Sequence, residues 1–146
     1  MFRIAGAAIL KWKDSPRRKP LIVRGARQVG KTWLVEHVAG AGFDAVVKID
    51  LEARRDFHIH FGDHLDPVTI IRHLELDCGK RIVPGKTLLF LDEIQACPRA
   101  IMALRYFYEQ MPDLHVIAAG SLLEFALSEI SVPVGRVEYL YLHPMT

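Results

Sequence analysis

The chain has 146 residues, 51% hydrophobic and 25% charged, with a net charge of +2. That composition excludes a disordered chain, a fibre or a coiled coil, and the length suits one domain, 1–146. No apolar run approaches the ~18 residues of a membrane span. The charged stretch Lys11–Lys19 stands where a signal peptide would place its cleavage site, and Cys78 and Cys97 make no disulfide framework, so a cytoplasmic protein without membrane contact is expected.

In chain order, Phe2, Ile4, Ala5, Ala8, Ile9 and Trp12 recur near the helical period and predict a helix over Phe2–Trp12. Asp14-Ser15-Pro16 ends it, and Arg17-Arg18-Lys19-Pro20 is a basic loop. Leu21-Ile22-Val23, closing at Gly25, reads as a buried parallel strand, which needs no alternation because both its faces are covered. A helix follows over Lys31–Val38 with Gly40 as its stop, then a strand over Ala45–Asp50. The charged, His-bearing segment Glu52–Asp66 reads as a loop with a short helical turn. Asp66-Pro67 opens a helix to about Cys78, with Gly79 behind it. Strands are expected at Thr87–Leu91, Leu114–Ala119 and Val137–Leu142. Between them come helices from Pro98 to about Gln110 and over Ser121–Glu129, where Ser121 and Glu124 form a capping box. This alternation predicts an α/β fold, a parallel sheet with helices on both faces.

Charge is unevenly spread: +8 up to Thr32 and −6 after it, which points to an anionic partner near the first third. Gly25-Ala26-Arg27-Gln28-Val29-Gly30-Lys31-Thr32 sits in that third and matches G-x-x-x-x-G-K-[ST], between a strand and a helix. The glycines let the backbone turn tightly, so that successive N–H groups face phosphate oxygens, and the helix adds the positive end of its dipole. Lys31 places a point charge on the β- and γ-phosphates. Thr32 offers a hydroxyl to Mg²⁺, a hard cation that keeps oxygen ligands.

Leu88–Leu91 followed by Asp92-Glu93 sets two carboxylates at the carboxyl end of an apolar strand, where ligands of open α/β sheets bind. Asp92 can hold the Mg²⁺, directly or through water, and Glu93 can accept a proton from an attacking water or orient it. The second acid favours hydrolysis over phosphotransfer, which leaves a small-molecule kinase as a distant reading. Ser121, at the end of the fourth strand, serves as helix N-cap, as a hydrogen-bond donor at the γ-phosphate, or as both. Gln95 either sits near the site or is exposed, and exposure is the preferred reading.

Other features carry less chemistry. The spacing of His58, His60, Asp63 and His64 fits no common zinc pattern, and a mobile polar loop is expected there. Cys78 and Cys97 read as ordinary reduced thiols. Met102, Leu104, Tyr106 and Phe107 read as core. The basic stretch Lys11–Lys19 with Trp12 inside it is a weak signal for nucleic acid.

Taken together, Pro20–Trp33, Thr87–Pro98 and Ala118–Phe125 resemble the AAA superfamily of P-loop ATPases. The strings R-G-A-R-Q-V-G-K-T and F-L-D-E-I-Q carry a closer resemblance to a bacterial and archaeal family whose members continue into a helical lid and a C-terminal domain of unknown function. Gly135-Arg136-Val137 and Tyr141-Leu142-His143-Pro144-Met145 also fit. The resemblance implies a P-loop three-layer sandwich with a five-stranded sheet ordered 5-1-4-3-2 and the lid absent. It implies ATP and Mg²⁺, with ATP held by Gly25, Ala26, Arg27, Gln28, Val29, Gly30, Lys31, Thr32 and Trp33. Thr32 and Asp92 would bind the metal, and Lys31, Glu93, Ser121 and Arg136 would serve catalysis. Arg136 matches by topology alone, as an arginine that reaches a neighbouring subunit's site in ring-forming hydrolases. The chain stops just after the fifth strand, so a core cut off before its lid and C-terminal domain is expected. An ATPase driving conformational change, completed by a lid or by homo-oligomers, stands beside a nucleotide-binding module without significant hydrolysis that needs a partner segment.

Overall fold

A computed structural model describes residues 2–25, 30–120 and 135–142. Strands β1 (Leu21–Gly25), β2 (Ala45–Asp50), β3 (Thr87–Asp92), β4 (His115–Ala119) and β5 (Glu138–Leu142) form one sheet in the order β2-β3-β4-β1-β5. Every pairing is parallel, and the order is the expected 5-1-4-3-2 read from the other edge. Helices α1 (Phe2–Lys13), α2 (Lys31–Gly42), α3 (Pro67–Cys78) and α4 (Pro98–Gln110) complete the described α/β fold. The expected helix over Ser121–Glu129 lies outside the described residues, as do Ala26–Val29.

The sheet divides the core in two because successive strand residues point to opposite faces. On one face Leu21, Val23, Leu88, Phe90, Ile117 and Ala119 pack against Ile9 and Trp12 of α1 and Leu34, Val35 and Val38 of α2. On the other, Ile22, Leu89, Leu91, Val116 and Ala118 meet Ile70 and Leu74 of α3 and Ile101, Leu104 and Phe107 of α4. All six residues of β3 are buried, so its carboxyl end is held rigidly.

Several boundaries follow local chemistry. The Asp66 side chain accepts from Thr69 N, Pro67 opens α3, and Gly79 closes it at φ 67° with its N–H on Glu75 O. In contrast, α2 runs through Gly40 to Gly42. A glycine inside a helix costs about 1 kcal/mol, and the packing of Leu34, Val35 and Val38 on the sheet outweighs that. The helix ends at Gly42, where a Cβ would stand 3.4 Å from Leu10 Cδ2 and from Lys13 Cδ on α1.

Glu52–Asp66 contains the short helical turn expected of it, and the His58–His64 stretch within it is anchored rather than a purely polar loop. A 3-10 helix over Arg55–Phe61 buries Phe57 and Phe61. His58 Nε2 pairs with Leu51 O at 2.6 Å, and His60 Nε2 with Asp77 Oδ2 at 2.5 Å. On α4, Leu104 and Phe107 are core, whereas Met102 and Tyr106 are only half-buried. Burial pushes both thiols, Cys78 and Cys97, above the usual range, as unreactive cysteines require. Trp12 is buried and donates Nε1–H to Lys19 O at 2.6 Å, so it is not available to stack on a base. Among the described residues no helix is long and apolar enough to cross a membrane.

Candidate functional site

The parallel arrangement brings the carboxyl ends of β1, β3 and β4 to one rim. β1 leaves the sheet at Gly25 with φ 154°, and α2 is entered from Gly30 with φ 82°. Side-chain-bearing residues are strained at such angles, so both glycines of the motif are required by the backbone itself. The first helical bond, Leu34 N to Gly30 O at 2.9 Å, starts α2 immediately after the second glycine. Lys31 is buried, and its Nζ donates to Gly25 O at 3.0 Å. The ammonium is therefore turned back to the carbonyl of the first glycine of the motif.

Thr32, on the first turn of α2, donates its hydroxyl to Asp92 Oδ2 at 2.8 Å. The other carboxylate oxygen of Asp92 accepts from Glu93 N at 3.0 Å. Asp92 is only 4% exposed. Burial pushes its carboxyl above the usual carboxylate range, against the two hydrogen bonds that favour the charged form. A hydroxyl and a buried carboxylate side by side at the carboxyl rim of the sheet are oxygen donors of the kind that suits a hard divalent cation.

Glu93 adopts the left-handed conformation, φ 50° and ψ 48°, the one described non-glycine residue with positive φ. Such a residue costs about 1–3 kcal/mol and persists where the surroundings enforce it. Gln95 Nε2 donates to Glu93 Oε2 at 2.6 Å. Gln95 is half-buried rather than exposed. Its amide packs over Gly120, where an added Cβ would come within 2.1 Å of Gln95 Oε1. Linear spacing gives no sign of this contact, because it depends on β3 and β4 being neighbours, Leu91 beside Ala118.

Of the remaining expected residues, the structure describes Trp33 and Arg136. Trp33 is 55% exposed and stacks on His37, ring centroids 4.8 Å apart, beside the α1–α2 groove. Ser121 and Ala26–Val29 lie outside the described residues. Arg136 donates Nε–H to Glu109 Oε1 at 2.8 Å, at the end of α4. It stands two positions before Glu138, which pairs with Leu21, whereas the phosphate rim begins at Gly25 beside Leu142. At strand rise that separation is about 20 Å, across the sheet's full length. Arg136 therefore stands at the opposite end of the sheet from Gly25.

The family model of an AAA domain matches residues 17–146. No curated protein matches the chain. The match takes in the strand-loop-helix at Leu21–Gly42, the acidic end of β3 and all five strands of the sheet. The chain belongs to the AAA domain family, a class of nucleotide-binding α/β modules.

Proposed function

We propose that this domain binds ATP with Mg²⁺ and hydrolyses it, and that the cycle drives conformational change. The observation that carries the reading is the Thr32–Asp92 hydrogen bond, 2.8 Å, beside the buried ammonium of Lys31. Lys31 would exchange Gly25 O for phosphate oxygens, and backbone N–H groups at the start of α2 would face the same oxygens. Thr32 and Asp92 would hold the Mg²⁺, whose charge would offset that of the phosphates. Glu93 would orient a water and accept its proton as the water oxygen bonds to the γ-phosphorus and the bond to ADP breaks. Ser121 would donate to the γ-phosphate or to that water. Trp33 and the segment Ala26–Val29 would complete the nucleotide contacts.

A second reading is favoured by the place of Arg136. An arginine on the far rim can act only on a second copy's nucleotide, and such a contribution is worth about 10³–10⁵ in rate. A lone chain would then bind nucleotide and turn it over negligibly. Phosphate release measured across a range of protein concentrations, with Lys31→Ala as the blank, separates the two. A specific rate rising with concentration supports assembly-dependent hydrolysis. Release equal in wild type and Lys31→Ala overturns the ATPase reading.

A further inference from the structure

We propose that Gln95 is a positioning residue that clamps the Glu93 carboxylate, and that position 120 is glycine because the clamp occupies the space of a side chain. The inference rests on the reading of Glu93 as the group that handles the attacking water. Three observations converge on it.

The first is the amide's orientation. Gln95 Nε2 lies 2.6 Å from Glu93 Oε2. With the amide reversed, two acceptors would meet at that distance, so the carboxylate's charge sets which end of Gln95 faces it. The bond is charge-assisted, the stronger class. The second is what this orientation costs. Gln95 Oε1 is buried with no hydrogen-bond partner. An unpaired buried acceptor destabilises a fold, and an apolar side chain of the same shape would avoid it. A glutamine that only filled space would be a poor choice here.

The third is Gly120. Its φ lies outside the positive range, so its backbone suits any residue. Space is what matters here: a Cβ would stand 2.1 Å from Gln95 Oε1 and 3.2 Å from Gln95 Cδ, so a side chain at 120 would push the amide from its place. The carboxyl end of β4 thus sets how close the amide can lie, and the amide sets where Glu93 points. Glu93 leaves the strand in the left-handed conformation, and the amide two residues on meets its carboxylate there.

The test uses Gln95→Met, which keeps length and bulk and removes the donor, together with Gly120→Ala and the double variant Gly120→Ala/Gln95→Ala. Steady-state ATP turnover and the melting temperature are read for each. The expected result for Gln95→Met is a 10- to 100-fold fall in kcat, the scale of a misplaced catalytic group, with KM for ATP within about twofold of wild type. Gly120→Ala should lower both kcat and the melting temperature. In the Gln95→Ala background it should lower neither further, because the colliding amide is gone. Wild-type kcat in Gln95→Met, or Gly120→Ala effects that add in full to those of Gln95→Ala, would overturn the clamp. Absent turnover in the wild type defeats the hydrolysis reading itself, a result distinct from intact turnover in Gln95→Met. The melting-temperature cycle still reports whether amide and Cβ compete for one space.

Discussion

Thr32 and Asp92 stand 60 residues apart in the chain and 2.8 Å apart in the fold. The bond joins the first turn of α2 to the last residue of β3, so Thr32 and the acidic end of β3 lie together. Asp92 is buried, and burial holds its carboxyl above the usual range. The raised value means that the folded state pays for the charge near neutrality, and a neutral isostere removes that penalty. Asp92→Asn should therefore raise the melting temperature of the nucleotide-free domain. The same change should weaken Mg²⁺-dependent nucleotide affinity at least tenfold, about 1.4 kcal/mol. Calorimetric titration with and without Mg²⁺ checks it, and an unchanged ratio of the two affinities would remove Asp92 from the metal site.

Glu93→Gln keeps the shape of the side chain and loses its basicity. Nucleotide affinity should stay within twofold, while turnover falls by about 10²–10⁴, the usual contribution of a general base. Single-turnover phosphate release is the measurement, and turnover surviving in this variant would dismiss Glu93 as the group that activates water.

The left-handed backbone of Glu93 has its own consequence, independent of nucleotide. Glu93→Ala retains the strain of a Cβ at φ 50°, whereas Glu93→Gly relieves it. The Gly variant should be more stable than the Ala variant by about 1 kcal/mol, read by urea denaturation. Equal midpoints would mean that the turn relaxes at no cost.

His115 supplies a pH dependence. It is buried at the start of β4 between the rings of Trp12 and Phe43, with Nε2 against Lys13 O at 3.1 Å and Nδ1 unpaired. Burial pushes its imidazole below the ordinary value. The Lys13 carbonyl and Asp14 oppose that shift, and Arg18 and the Lys13 ammonium reinforce it. A base with a depressed folded pKa binds its proton more readily when unfolded. The stability it contributes is therefore whole above about pH 6.5 and is lost as the pH falls below that value. His115→Phe should flatten the melting-temperature profile between about pH 6.5 and 5. An unchanged slope would assign acid sensitivity to other groups.

Arg136 and Glu109 form a solvent-exposed pair of the kind that adds little stability. Arg136→Ala should thus leave the melting temperature nearly unchanged and leave nucleotide affinity intact in dilute, monomeric samples. Its effect on turnover should appear only at concentrations where copies associate. An equal loss in a strictly monomeric sample, checked by sedimentation, would contradict a role in trans.

Much of the fold was legible because its signals are local. Asp66, Pro67 and Gly79 mark the ends of α3 through a side-chain cap, a fixed φ and a left-handed residue, none of which needs tertiary contact. Gly40 misled because its helix penalty is smaller than the packing of α2 against the sheet. The His-bearing segment misled in the other direction. Its polarity suggested mobility, while Phe57 and Phe61, four residues apart, anchor it in the core beneath α3 and α4.

By itself the sequence determined the parallel α/β class, the two glycines that the phosphate loop needs and the candidate set Lys31, Thr32, Asp92 and Glu93, because each rests on residue type at short range. Only the tertiary structure decided which of these meet. Strand order sets β3 against β4 and so joins Gln95 to Gly120. The parallel register of β5 on β1 sets Arg136 at the end of the sheet opposite Gly25. Contacts between strand ends depend on which strands are neighbours, and that follows from how the whole apolar surface is buried rather than from any local pattern.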